Sequence, residues 1–242
     1  MKLKVITTVS SIENEGLKKL EYSLKHFNYD YKILHNPSIG WDWGGWDNMY
    51  RFLRDEAKTL GYTHIIYTDG FDTLALGNQK DAEQALTEVL GEDLDRMVYS
   101  VEKHWFPHEQ GWEEAHRAFN ELPAVKALTP DHRWRYVNGG QYGGSVDALM
   151  WWYENAPKHR NNQGWGNEYY ALHNQGRLVL DFDCKLFQTL SHSGSNHGSP
   201  EEFAVYNNRL VNNLTRTKPV FVHNNGIKNP TEAQFMYDIL GV

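Results

Sequence analysis

Thr63-His64-Ile65-Ile66-Tyr67-Thr68-Asp69-Gly70-Phe71-Asp72 is the stretch that decides the reading of this chain. A short, nearly continuous apolar run, Thr63 to Thr68, leads into two carboxylates three positions apart with a glycine between them. Such runs mark strands buried on both faces, as parallel strands are. Ligands of open α/β sheets bind beyond the carboxyl ends of the strands, which is where Asp69 and Asp72 stand. Carboxylate oxygens suit hard cations such as Mn2+ and Mg2+, and these neutralise a diphosphate. The competing reading is a capped turn, with Asp69 accepting from local backbone N–H groups.

The residues before this stretch supply its context. Lys2 to Val9 reads as a strand. Glu13 to His26 carries Leu17, Leu20 and Leu24 at helical spacing, and Tyr31 to Leu34 reads as a second strand. A Gly- and Trp-rich loop, Pro37 to Trp46, comes next. Asp47 is expected to cap the following helix, whose inner face is Tyr50, Leu53, Ala57 and Leu60. The pattern is βαβαβ, which predicts an α/β fold with a mostly parallel sheet flanked by helices.

Downstream, the patterning predicts a helix at Asp81 to Leu90 and a strand from Arg96 to Val101 ending at Glu102. A looser helical region, Trp112 to Leu128, precedes a glycine-rich turn at Tyr136 to Gly144. Helices follow near Val146 to Glu154 and at Asn167 to Asn174, then a strand at Arg177 to Asp181 and a Ser/Gly/His/Asn loop at Ser191 to Pro200. Val220 to His223 is a last strand and Thr231 to Leu240 a last helix. With no repeat and no linker-like segment, residues 1–242 are expected to form one domain.

Composition narrows the function. A net charge of -7 argues against a general nucleic-acid coat. No apolar run approaches the roughly 18 residues of a membrane span, and the first strand is too short, and its sequel too polar, for a signal peptide. The single Cys184 excludes an internal disulfide and reads as a small buried hydrophobe. Together these predict a cytoplasmic protein. The chain is rich in Trp (9), Tyr (14) and His (12). Trp41, Trp43, Trp46, Trp105, Trp112, Trp134 and Trp165 fall in or beside expected loops, where they either stack on sugars or bases or close a core from outside.

Three further clusters carry chemistry. Pro219-Val220-Phe221-Val222-His223-Asn224-Asn225-Gly226 again runs from an apolar strand into a polar end. His223 is a candidate metal ligand through a neutral imidazole, and Asn224, Asn225 and Gly226 offer donors to phosphate. Arg135-Tyr136-Val137-Asn138-Gly139-Gly140-Gln141-Tyr142-Gly143-Gly144 permits close approach of backbone to a ligand, with Asn138 available to sugar hydroxyls. It is neither a dinucleotide fingerprint nor a phosphate-binding GK[ST] loop. Asn167-Glu168 supplies a possible acid/base carboxylate.

In their order along the chain, these pieces resemble the glycosyltransferase domain of the procollagen lysyl hydroxylases and the related procollagen galactosyltransferases. The resemblance runs from Trp43-Gly44-Gly45 through Asp69-Gly70-Phe71-Asp72, Tyr99-Ser100-Val101-Glu102 with Pro107, Arg135 to Gly140, and Leu180-Asp181 with Cys184 to Gln188, to Pro219 through Gly226. It implies a GT-A (Rossmann-like) glycosyltransferase fold using a UDP-sugar and Mn2+ or Mg2+. The metal ligands it implies are Asp69, Asp72 and His223. The donor-binding residues it implies are Trp43, Gly44, Gly45, Asp69, Asn138, Gly139, Asn225 and Gly226. The family's acidic run is absent here, where Trp165-Gly166-Asn167-Glu168 stands in its place. Glu168, with Asn167 and Asn138, is then the nearest catalytic candidate. The expected activity is transfer of glucose or galactose to a hydroxyl on a glycan, a protein or a modified nucleobase. The alternatives are a transferase acting on hydroxymethylated DNA bases, whose flipped base would suit loop tryptophans, and a non-catalytic nucleotide-sugar or glycan-binding protein.

Overall fold

The structure is a computed structural model. It describes residues 1–38, 44–107, 111–129, 132–157, 161–174, 176–190, 202–207, 209–225, 238 and 240. Trp41, Trp43, Gly226, the 191–200 loop and most of the expected last helix lie outside these residues.

The first 70 residues fold as their pattern requires. Strands β1 (Leu3–Val9), β2 (Tyr31–His35) and β3 (His64–Thr68) pair in parallel, with β1 in the middle. Helix α1 (Glu15–His26) joins β1 to β2, and Asn14 caps it by accepting from Gly16 N–H at 2.8 Å. Helix α2 (Gly44–Phe52) continues as one π-helical turn, Leu53–Ala57. Because α2 begins at Gly44, Asp47 is not its cap but an acid inside its first turn, still near the positive end of the helix dipole. The π turn ends the helix at Ala57, so Leu53 and Ala57 are buried but Leu60 is 49% exposed.

Five elements follow: β4 (Thr73–Ala75), α3 (Gln79–Leu90), β5 (Met97–Glu102) and the short helices α4 (Glu113–Glu121) and α5 (Pro123–Lys126). The largest correction comes next. Tyr136 to Gly144 is not a turn but most of a ten-residue strand, β6 (Tyr136–Ser145). It lies between β3 and β5, antiparallel to both. Its glycines serve sheet packing: a Cβ on Gly144 would meet Arg96 O at 2.3 Å, and one on Gly143 would meet Ile65 O at 3.0 Å. Beyond it come α6 (Val146–Asn155), α7 (Asn162–Glu168) with a π turn at Tyr169–His173, β7 (Leu178–Leu180) and β8 (Phe187–Thr189). Asn161 caps α7, so this helix starts earlier than the expected Asn167. A hairpin, β9 (Phe203–Tyr206) and β10 (Arg209–Asn212), and β11 (Phe221–His223) complete the described elements.

The main sheet has the order β2-β1-β3-β6-β5-β7, and β4-β11-β8 forms a smaller one. Alternation along the strands separates two apolar clusters. Ile6, Ile65, Met97 and Tyr99 point to one, with Trp134, Leu149 and Trp152; Val5, Ile66 and Val98 point to the other, with Leu20, Leu86 and Phe221. Fully burying one such side chain contributes roughly 1.5–3 kcal/mol. Trp46, Trp105, Trp112 and Trp134 are all buried, so these tryptophans close the core rather than line an open surface. No described helix is long and apolar enough to cross a membrane.

Two features of this layout place the site. The antiparallel β6 runs past the carboxyl end of β3, bringing Asn138, Gly139 and Gly140 beside Asp69, whose N–H donates to Gly140 O at 2.8 Å. In the small sheet, His223 at the end of β11 pairs with Thr73 of β4 and Thr189 of β8. It therefore arrives next to the loop that carries Asp72.

Candidate active site

Asp69 and Asp72 sit in the loop between β3 and β4. Thr73 Oγ1 donates to Asp69 O, and Asn224 N–H donates to Asp72 O at 2.8 Å, tying this loop to the end of β11. Gly70 must be glycine, because a Cβ there would meet Val9 Cγ1 at 2.3 Å. The first turn of α1 packs directly on the same loop: a Cβ on Gly16 would lie 1.7 Å from Phe71 O.

His223 is buried between the two aspartates. Its Nε2 lies 3.2 Å from Asp72 Oδ2 and 3.7 Å from Asp69 Oδ2. Its Nδ1 lies 3.0 Å from Asn138 Oδ1. The same Asn138 oxygen accepts from Gly140 N–H at 3.1 Å. An accepting amide oxygen at Nδ1 keeps the proton on that nitrogen, which leaves the Nε2 lone pair of a neutral imidazole directed at the aspartates. Gly140 makes this packing possible, since a Cβ there would fall 2.2 Å from His223 Cε1 and 2.6 Å from Asp69 Oδ2.

One ligand atom each from Asp69, Asp72 and His223 lie within 4.8 Å of one another. Two carboxylate oxygens and one imidazole nitrogen are a donor set that could hold a divalent cation. The residues present therefore fit the divalent cation that the fold implies.

The protonation energetics reflect the crowding. Loss of hydration raises the Asp69 pKa and Asp72 adds to the rise, while His223 opposes it; 44% of the Asp69 side chain nevertheless remains exposed. Burial disfavours a charged His223. Asp72, Asp69 and Glu102 more than offset that, so its pKa is raised. A dication held here would take the place of a proton at His223 Nε2 and offset the repulsion between the two carboxylates.

A residue that the sequence placed at a strand end and within the resemblance, with no role assigned to it, lies beneath the site. Glu102, the last residue of β5, is 9% exposed. Its carboxylate accepts from Asn225 Nδ2 at 2.6 Å, from Asn138 Nδ2 at 3.4 Å and from Gln163 Nε2. Burial pushes its pKa up to about 7, partly relieved by these donors and by His223. Gln163, from α7, also accepts from Gly139 N–H at 3.0 Å. The signal for Glu102 was present: like Asp69, it is an acid delivered at the carboxyl end of an apolar strand. Gln163 gave none, since nothing local distinguishes it from a solvated helix residue.

Asp69, Asp72, His223, Asn138, Gly139 and Asn225 thus come together. Gly44 and Gly45 lie in the first turn of α2. Asn167 is fully buried, accepting from Val137 N–H at 3.0 Å and donating to Phe106 O at 3.2 Å, so both ends of its amide hold backbone. Glu168 is half-buried at the end of α7, and Gln163 of the same helix bonds to Glu102.

A mostly parallel α/β sheet carries two aspartates beyond a strand end, with a histidine brought to them from the far end of the chain, an architecture that matches the GT-A fold. A solved glycosyltransferase involved in the glycosylation of the major capsid of PBCV-1 shares the fold, with a TM-score of 0.53 over 98% of both chains at 12% identity. The chain belongs to the PLOD GT domain family, whose model matches residues 1–236. It is 29% identical to the uncharacterized protein R699 of Acanthamoeba polyphaga mimivirus, over 94% of this chain and 48% of that protein. It is 24% identical to mouse procollagen-lysine,2-oxoglutarate 5-dioxygenase 2, and 23% identical to human multifunctional procollagen lysine hydroxylase and glycosyltransferase LH3. Each match covers 96% of this chain and 30% of the relative. The chain therefore spans about half the length of the viral relative and under a third of the procollagen enzymes.

Proposed function

We propose that residues 1–242 act as one domain that transfers glucose or galactose from a UDP-sugar to a hydroxyl acceptor. Asp69, Asp72 and His223 would hold Mn2+ or Mg2+. The observation that carries this reading is the convergence of those three side chains within 4.8 Å from two distant segments of the chain. A dication there supplies positive charge for the diphosphate that departs with the uridine.

The protein's own residues do the rest. Asn138 keeps the His223 imidazole in the tautomer that leaves Nε2 available. Glu102 fixes the amide groups of Asn138, Asn225 and Gln163. Asn138 and Gly139 would then face the donor sugar, while Asn225 and Gly226, with the Trp43-Gly44-Gly45 segment, would hold the nucleotide. Preorganised dipoles stabilise developing charge without reorganising as the glycosidic bond breaks. Of the catalytic candidates, Asn138 lies against the acidic cluster. Asn167 supports it indirectly, by holding the start of β6 and the segment at Phe106.

The test is turnover and binding of UDP- and GDP-sugars with and without Mn2+, for wild type and Asp72→Ala. Metal-dependent turnover of a UDP-hexose is expected, reduced roughly 100-fold or more in Asp72→Ala. If no sugar nucleotide is bound or turned over with Mn2+, the reading fails. If Asp72→Ala keeps full activity, the metal assignment alone fails.

A further inference from the structure

Tyr67 plays no part in the scheme above, yet its hydroxyl touches a proposed metal ligand. It is the second-last residue of β3 and faces Tyr142 of β6 in the strand register. The two rings stack with centroids 4.6 Å apart and 16° between planes. Tyr142 is held in turn through a hydroxyl contact with Tyr153, whose ring meets Trp46 at 4.2 Å. The Tyr67 ring therefore has little freedom to move.

Its hydroxyl lies 3.0 Å from Thr8 Oγ1 on β1 and 3.3 Å from Asp69 Oδ1. An ionised carboxylate only accepts. The directions that satisfy all three groups are thus Thr8 O–H to Tyr67 oxygen, and Tyr67 O–H to Asp69 Oδ1. This divides the two oxygens of Asp69. Oδ1 is turned to Tyr67, and Oδ2 is turned to His223 Nε2 and Gly140.

We propose that Tyr67 is a positioning residue that restricts Asp69 to ligation through Oδ2 alone. The site is thereby biased toward small octahedral cations, Mn2+ and Mg2+, and against Ca2+. The physical reason is size: Ca2+ takes more oxygens in a looser shell and readily engages both oxygens of one carboxylate, whereas Mg2+ demands a tight octahedron. Hydrogen-bond partners of metal ligands typically tune metal affinity by 10–100-fold. The inference rests on the metal-site reading above.

The experiment measures Mn2+ and Ca2+ affinity of the full chain by calorimetry, without sugar nucleotide, for wild type, Tyr67→Phe and Thr8→Val. Tyr67→Phe keeps the ring and its stacking, so the metal-free melting temperature should stay close to that of wild type. Its Mn2+ affinity should fall roughly tenfold, while Ca2+ affinity falls less or rises, so that the Mn2+/Ca2+ preference shrinks. Thr8→Val should shift the preference in the same direction by a smaller factor. Unchanged Mn2+ affinity in Tyr67→Phe, or equal losses for both ions, overturns the role of Tyr67 while leaving the metal site standing. Absence of Mn2+ binding in wild type overturns the metal-site reading and this inference with it.

Discussion

Glu102 and Glu202 are both buried, at 9% and 3% exposure, and both act at the same end of β5, yet their surroundings are opposite. Glu202 faces cations: Lys103 Nζ at 2.7 Å, with its own side chain 8% exposed, and Arg133 Nη1 at 2.7 Å. Glu102, one residue before Lys103, has no Lys or Arg partner among the described residues; it accepts from the neutral amides of Asn138, Gln163 and Asn225, with the His223 imidazole as its titratable neighbour. A buried carboxylate with matched cations is an anchor, here tying the start of the β9–β10 hairpin to the site strand. A buried carboxylate held mainly by amides keeps a pKa raised by burial, and such groups cluster at functional sites.

Removing the anchor should have the largest effect on stability. Glu202→Ala leaves Lys103 buried without its counter-charge and should destabilise by about 3–5 kcal/mol, lowering the melting temperature by on the order of 10 °C. Denaturant and thermal unfolding measure this directly. A loss below about 1 kcal/mol would be that of an exposed pair and would erase the contrast with Glu102.

Glu102 should show itself through pH. Its carboxyl ionises at about 7 in the fold against an ordinary value of 4.5. Between those values the folded protein keeps a proton that the unfolded chain has released. Glu102 therefore makes stability fall as pH rises from about 4.5 to about 7, and the deficit is constant above that. Its full size is on the order of a few kcal/mol. In Glu102→Gln this slope should flatten, while the new amide N–H, facing three other donors, lowers stability by a similar amount at every pH. Melting temperatures of both proteins at pH 5 and pH 8 decide it, and parallel slopes would remove Glu102 as the cause. Arg133→Ala sharpens the comparison at its small end. Arg133 is 58% exposed and leaves the Lys103–Glu202 pair intact, so the loss should be within about 1 kcal/mol. A larger loss would make the anchor a three-body network.

Much of this fold was legible in the chain. The βαβαβ start, the strand ending in Asp69 and the strand ending in His223 follow from apolar runs of the right length. The reading of Tyr136 to Gly144 as a turn failed because glycine marks two different things. Local sequence cannot separate a glycine needed for a bend from one needed where a neighbouring strand leaves no room for a Cβ, as at Gly143 and Gly144. The tryptophans left two readings open, stacking on a ligand or closing the core, and packing decides for the second at four of them. Trp46, Trp105, Trp112 and Trp134 stand in or beside loops, but those segments fold inward over the sheet and bury the rings.

Taken alone, the sequence determined the kind of sheet, the end of it where chemistry belongs, and the residue types gathered there, because strand period and the preference of carboxylates for hard cations are local properties. Which residues meet was decided only by tertiary structure. An antiparallel β6 inserted between β3 and β5 carries Asn138 and Gly140 to Asp69, and a small second sheet carries His223 to Asp72. That placement depends on strand order and register, which are set by the packing of distant segments against one another. The partners of Glu102 and Tyr67 were for that reason visible only once the chain had closed.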